Sequence, residues 1–385
     1  MRYLFANRMM KVRESFIREV LKVTKDPSVI SFAGGLPNPE IFPVKALADA
    51  AAKVFEQDGR AMLQYSTTEG YLPLREFIAR RYFKRYGLKI EPDNILITNG
   101  SQQALDLIGK IFLDKEDRVI MERPGYFGAI QSFAFYEPSF VSVPVDRDGI
   151  DLDRFEQAIQ EQRPKLFYTV PNFQNPSGIT YSAQKRQAVA GLLERYGVIG
   201  IEDDPYGELR YVGQEQPAIK SYFDDGVILL GSFSKIVSPG ARLGWVCANS
   251  EIMKKLLIAK QAADLHSNYL SQRIVCQYLQ DNDLDNHLNQ IRQVYKKQRD
   301  LMLAMIDRWL PGEVDYNEPE GGMFLWLRLP EGQSAFELFE YAAKLKVAFV
   351  PGEAFYLDGS GKNTLRLNFS NSDEARIETG VERLA

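Results

Sequence analysis

Short apolar runs and longer amphipathic stretches alternate through the middle of the chain. Runs suited to a strand occur at Arg118–Met121, Phe140–Val143, Leu166–Val170, Val198–Ile201, Val227–Leu230 and Leu243–Cys247. Between several of them lie stretches with helical spacing of apolar residues, such as Leu152–Glu161 and Ser182–Tyr196. That alternation predicts an α/β fold with a mostly parallel central sheet.

From about Asp285 the pattern changes. A helical stretch, His287 to Leu310, leads to Pro311-Gly312. Strand-like Met323–Leu329, a helix near Ala335–Leu345, a strand near Ala348–Val350 and strand-like Thr364–Phe369 follow. These predict a smaller α+β domain. The first 50 or so residues lack the alternation and are expected to pack with it. The expected organisation is therefore an N-terminal segment (1–50), a large domain (51–285) and a small C-terminal domain (286–385). The 385 residues suffice for two sizeable cores.

Composition narrows the function. The net charge is −4, and lysine and arginine are spread along the chain. A nucleic-acid surface would show a basic stripe instead. No apolar run approaches a membrane span. Met1 to Arg13 is basic but lacks the apolar stretch of a secretory signal, so a cytoplasmic protein is expected. Cys247 and Cys276 lie far apart in sequence, which disfavours a disulfide framework or a cysteine metal site. His266 and His287 have no ligand spacing and are expected as ordinary polar residues on helices. A zinc enzyme or a histidine-driven hydrolase is thus disfavoured, and no metal is expected.

The sharpest chemistry lies in Gly231-Ser-Phe-Ser-Lys235, followed by Pro239-Gly240-Ala-Arg242. An apolar strand runs straight into it, so Lys235 emerges at a strand's carboxyl end, where α/β sheets place ligands. Ser232, Ser234 and Arg242 suit a phosphate dianion, offering neutral donors and one bidentate cation. A lysine near cations has a lowered pKa, which suits Schiff-base chemistry. Taken alone, Ser-x-Ser-Lys fits a surface lysine in a serine-rich loop just as well.

Three more segments change that balance. Thr98-Asn-Gly-Ser101-Gln102 follows a strand-like run and opens a helix, with Ser101 expected as its N-cap and exposed N–H groups suited to an anion. Pro171-Asn-Phe-Gln-Asn175-Pro176-Ser177-Gly178 is a turn-rich loop that offers Asn175 at a strand's end. Ile199-Gly-Ile-Glu202-Asp203-Asp204-Pro205-Tyr206 ends another strand in acids and a tyrosine. A carboxylate there is costly unless it meets a cation, and a protonated pyridine nitrogen would serve. Each segment also has a plain alternative: a capped helix, an Asn-Pro turn and a solvated acidic loop.

Together, in this order, the segments resemble the fold-type I, class I/II pyridoxal-phosphate aminotransferases. The resemblance runs from about Ser15 to the end of the chain and takes in Tyr126 and Arg366 as well. Ser31-Phe-Ala-Gly-Gly-Leu-Pro37 and Glu202 to Leu209 most resemble the 2-aminoadipate and kynurenine transaminase branch. The resemblance implies pyridoxal 5'-phosphate as cofactor. Lys235 would form its Schiff base and carry the proton shift. Asp203 would keep the pyridine nitrogen protonated, Asn175 and Tyr206 would donate to the phenolic oxygen, and Tyr126 would stack on the ring. Ser101, Gln102, Ser232, Ser234 and Arg242 would hold the phosphate. Tyr65 would reach the phosphate of a neighbouring subunit's cofactor, which implies a homodimer with composite sites. Arg366 would grip the substrate α-carboxylate, Asn175 would also bind substrate, and Gly35 would line the side-chain pocket of Arg18 through its backbone. Ser15 and Arg18 would share one side of a short helix, with Arg18 binding the distal carboxylate of an acidic donor. Packing remains an alternative for Tyr65 and Tyr126, and an outward strand position for Arg366.

The implied reaction is ping-pong transfer of an amino group from an amino acid to a 2-oxo acid such as 2-oxoglutarate. Donors would be 2-aminoadipate, glutamate, or aromatic or branched-chain amino acids. One rival is a lyase on the same fold, since the cofactor does the hard chemistry. The other is the sensor domain of an aminotransferase-like transcription regulator. The pattern begins near Ser15, so no DNA-binding domain is expected in front of it; a fragment of such a regulator stays open as an alternative.

Overall fold

An eight-stranded sheet forms the centre of the computed structural model, which describes residues 3–10, 20 and 26–385. From one edge its strands are Ile95–Thr98, Gly244–Cys247, Val227–Ser232, Ile199–Asp203, Leu166–Thr169, Arg118–Arg123, Ser139–Asp146 and Gly149–Ile150. Four neighbouring pairs in the middle are parallel. The pairs at either edge, and that between Val227–Ser232 and Gly244–Cys247, are antiparallel. Helices such as Phe127–Ala134, Leu152–Gln162 and Ala183–Tyr196 make the crossovers. The central strands are buried along most of their length, which is why they read as continuous apolar runs.

This topology brings one set of chain ends together. The parallel strands deliver the segments after Arg123, Thr169, Asp203 and Ser232 to a single edge. Gly244 pairs with Ser232 on one side and Thr98 on the other. Because Gly244–Cys247 runs the opposite way, its start, next to Arg242, lies at that same edge.

The helix boundaries follow local chemistry. The Asp151 and Ser182 side chains accept from backbone N–H groups at the starts of their helices. Gly197 ends the second of these helices at φ 66, a left-handed position. The long helix Leu284–Trp309 begins three residues before the expected His287, because Asp283 caps it.

A second, antiparallel sheet contains Asp315–Tyr316, Phe324–Arg328, Thr364–Asn368 and Val350–Pro351. The single strand expected near Ala348–Val350 divides in two. Val347–Ala348 pairs with Ile30–Ser31, and Val350–Pro351 with Thr364–Asn368, so the chain changes partner at the buried Phe349. Phe32 then bridges both, donating to the Ala348 carbonyl at 2.7 Å and accepting from Asn368 N at 2.8 Å.

His287 lies on a helix, but His266 does not. Leu265, at φ 67, breaks the helix Ser250–Asp264, and His266 sits in the turn that follows. There its Nε2 accepts from Ser66 N at 3.3 Å. Both cysteines are buried and free. Among the described residues, no cluster of His, Cys, Asp or Glu is arranged to hold a metal ion, and no helix is long and apolar enough to cross a membrane.

Candidate active site

The shared edge of the large sheet opens into a cavity of about 430 Å³. Of the residues singled out from the sequence, Gly35, Ser101, Gln102, Tyr126, Asn175, Asp203, Tyr206, Ser232, Ser234, Lys235, Arg242 and Arg366 all line it. Tyr65 does not: its side chain is exposed and meets His266 edge-on. Ser15 and Arg18 lie outside the described residues.

Lys235 follows directly from the strand Val227–Ser232, and its Nζ donates to the Gly35 carbonyl at 2.7 Å. Burial, then the positive charges of Arg366 and Arg242, lower its pKa to about 8. A substantial fraction of the amine is therefore neutral near physiological pH, as a nucleophile or proton carrier requires.

Beside it lies a cradle for an anion. Ser232 Oγ accepts from Ser234 N at 3.1 Å, which folds the serine pair back on itself. Arg242 Nη2 donates to the Asn99 carbonyl at 3.3 Å, so the guanidinium lies against the opening of the helix Ser101–Phe112. Ser101 is not the N-cap of that helix. Gly100 takes the position at φ 75, and Ser101 becomes the first helical residue. The backbone is the reason: the positive φ at the cap favours glycine, and a Cβ there would also lie 2.8 Å from the flexible end of Arg242, at Nη2. With the cap made by the backbone alone, the Ser101 hydroxyl and the first N–H groups of the helix can serve an anion. The Gln102 side chain is committed elsewhere, donating to the Gly128 carbonyl at 2.9 Å and to Ser132 Oγ at 2.6 Å. What Gln102 offers the cradle is its backbone N–H.

Asp203 is the buried last residue of its strand, not part of a solvated loop. One oxygen, Oδ2, accepts from Tyr168 OH at 2.8 Å. The other, Oδ1, is buried with no protein partner. Burial lifts the carboxyl to about 7. The Tyr168 hydrogen bond pulls it down, while Asp204 and Glu122 push it further up. An orphaned buried acceptor in a cavity wall calls for a donor on the ligand.

Arg366 and Asn175 also line the cavity. Arg366 is buried, not outward-facing. Its Nη1 donates to Asn175 Oδ1 and its Nη2 to the Ala33 carbonyl, both at 2.6 Å. Its guanidinium lies 4.4 Å from the Phe324 ring centroid and 5.2 Å from that of Phe355. Burial lowers it to about 10, so it stays charged at neutral pH. These contacts are all neutral, which leaves a buried positive charge suited to a carboxylate. Asn175 Nδ2 donates to Tyr206 OH at 3.4 Å. Burial raises the phenols of both Tyr206 and Tyr126, the latter to about 12.

A model of the family described as aminotransferase class I and II matches residues 29–384. The chain belongs to this family. An aromatic-amino-acid aminotransferase of Thermococcus litoralis is 43% identical over 99% of this chain and 93% of its own length. A 2-aminoadipate transaminase of Thermus thermophilus is 43% identical over 97% of this chain and 94% of its own. Among solved structures, the kynurenine aminotransferase of Pyrococcus horikoshii, in complex with PMP, superposes with a TM-score of 0.95. It is 43% identical and covers 99% of this chain and 96% of its own.

The cavity is also lined or supported by residues that the sequence did not announce. Glu122 is buried and accepts from Thr169 Oγ1 at 2.6 Å and from Tyr181 OH and Gln174 Nε2 at 2.8 Å. Gln174 also donates to the Pro124 carbonyl at 2.8 Å. The pair thus ties the loop bearing Tyr126 to the loop bearing Asn175. A glutamate inside the apolar run Arg118–Arg123 was the available signal. Tyr168, Phe324 and Phe355 gave none, because each reads as ordinary core.

Proposed function

We propose that this aminotransferase moves amino groups between amino acids and 2-oxo acids, with pyridoxal phosphate held in the cavity and Lys235 as the residue that moves the proton. One observation carries the reading. A half-buried lysine of lowered proton affinity stands among an anion cradle, an orphaned carboxylate oxygen and an arginine with neutral partners. The residues fit the cofactor part by part: Asp203 Oδ1 suits a ring N–H, the cradle a phosphate, and the Lys235 amine an aldehyde.

When bound, the cofactor supplies an aldehyde that takes up amino groups and a ring that draws electrons from the substrate Cα. The chain does the rest. Ser101, Ser232, Ser234, Arg242 and the Gln102 backbone would hold the phosphate. Tyr126 would lie against the ring, and Asn175 and Tyr206 would donate to the phenolic oxygen. Asp203 would hold a proton at the ring nitrogen. Arg366 would bind the α-carboxylate and so present the Cα hydrogen to Lys235, whose free amine would take up that proton and hold it for return.

The relatives named for 2-aminoadipate, aromatic amino acids and kynurenine support donors of those kinds; glutamate as a further donor and 2-oxoglutarate as acceptor rest on the family resemblance. Gly35 lines the substrate side through its backbone, and Arg18 binds the distal carboxylate of an acidic donor. A second copy of the chain completes each site. Tyr65, 78% exposed and outside its own cavity, reaches the partner's phosphate cradle. The test is turnover of a donor panel with and without 2-oxoglutarate. Transamination requires the 2-oxo acid, whereas steady loss of donor without it would show a lyase instead.

A further inference from the structure

Tyr168 is fully buried, and among the described residues its hydroxyl is the side-chain donor to Asp203. The strand register creates the contact. Tyr168 pairs with Ile201 in the parallel ladder, and Asp203, two residues further on, projects from the same face of the sheet. Phe133 packs edge-on against the Tyr168 ring, with centroids 6.2 Å apart, and fixes its tilt. Tyr168 thereby engages one carboxylate oxygen at 2.8 Å and leaves the orphaned Oδ1 to the cavity.

A proton between a carboxylate and a pyridine nitrogen goes to the stronger base. Asp203 is buried, with Asp204 and Glu122 adding negative charge around it, and all three influences strengthen it as a base. Donation from a phenol withdraws charge and weakens it. We infer that Tyr168 is a positioning residue: its hydrogen bond aims Asp203 Oδ1 at the cofactor ring and keeps the shared proton on the ring nitrogen. Without it, that proton moves from nitrogen to Oδ1, and no proton is gained or lost. The inference rests on the role proposed for Asp203, which has its own control.

The test uses holoenzyme loaded with cofactor labelled with ¹⁵N in the ring, read by its ¹⁵N chemical shift. The wild type is expected at the protonated position. Tyr168→Phe, which removes only the hydroxyl, is expected to move toward the unprotonated position. As a second reading, the apo-protein's preference for pyridoxal phosphate over its analogue with carbon in place of the ring nitrogen should narrow by about tenfold. Should Tyr168→Phe fold poorly, 3-fluorotyrosine in place of Tyr168 is a stronger donor and should widen that preference. If Asp203→Ala leaves the shift at the protonated position, the role of Asp203 fails. If Asp203→Ala moves the shift while Tyr168→Phe does not, or if fluorination leaves the preference unchanged, the inference about Tyr168 is overturned.

Discussion

Arg366 Nη1 donates to Asn175 Oδ1 at 2.6 Å, although 191 residues separate the two in the chain. The contact joins the small antiparallel sheet to a loop at the carboxyl edge of the large one. It also fixes the sense of the Asn175 amide. With the oxygen turned to the guanidinium, the NH₂ group faces Tyr206 OH.

Asn175→Asp should therefore act mainly as an internal competitor. Its carboxylate would sit where a substrate carboxylate is needed and would neutralise Arg366. Since a hydrogen bond to a charged group is worth about 1.5–3 kcal/mol, kcat/KM should fall by roughly ten- to a hundredfold, mostly through KM. Steady-state kinetics with saturating cofactor checks this. A loss confined to kcat would place the residue's contribution elsewhere.

The lowered pKa of Lys235 has a testable source. Arg366 is the largest charge acting on it, after burial. In the apo-protein, the rate of modification of Lys235 by an amine-selective reagent, followed by mass spectrometry, should rise with a midpoint near 8. Arg366→Met removes a positive neighbour, which makes the ammonium form easier to keep, so the midpoint should move upward. An unchanged midpoint would show that the field of Arg366 does not reach the amine.

Asp203 should weaken the apo-protein in a defined pH window. Its carboxyl is raised from 3.8 to about 7 on folding, so between those values the native state holds a proton that the unfolded state has released. Stability then falls as pH rises through the window, and the whole penalty is present above it. Moving the carboxyl that far costs on the order of 4 kcal/mol. Asp203→Asn should thus gain stability over wild-type apo-protein at pH 8, with little difference below pH 4. Denaturant unfolding at both values reads the effect, and an equal difference at the two would contradict it.

How much was legible beforehand depended on the range of the contact. Strands buried on both faces are continuous apolar runs, so the runs Leu166–Val170 and Val227–Leu230 stood out, as did the polar residues at their ends. Contacts set by strand register did not. Tyr168 meets Asp203 only because two strands align with Ile201 opposite Tyr168, and no local pattern encodes that alignment. The cap of the helix Ser101–Phe112 was misassigned for a similar reason. Serine is a good local N-cap, but the chain enters this helix through a positive φ at position 100, a conformation that favours glycine. The split strand around Phe349 depends on two different sheets, one of which includes Ile30–Ser31.

Arg18 tests specificity apart from chemistry. Its role rests on the family resemblance, since it lies outside the described residues. Arg18→Ala should lower kcat/KM for glutamate or 2-aminoadipate by roughly ten- to a hundredfold and leave leucine or kynurenine nearly unchanged. Equal losses on acidic and apolar donors would remove Arg18 from recognition.

The central claim is that Lys235 is the residue to which the cofactor attaches. Among the described residues Lys220 and Lys260 are more deeply buried than Lys235, but the amine of each is held away from the cavity. Lys220 Nζ donates to the Asp224 and Val227 carbonyls, and Lys260 Nζ to Gln103 Oε1 and Asp264. Lys235 alone of the three lines the cavity. Borohydride reduction of the holoenzyme, followed by proteolysis and mass spectrometry, should find the cofactor's added mass on the peptide bearing Lys235. Lys235→Ala should retain no mass and nearly no turnover. The added mass on Lys220, Lys260 or any other lysine would contradict the account.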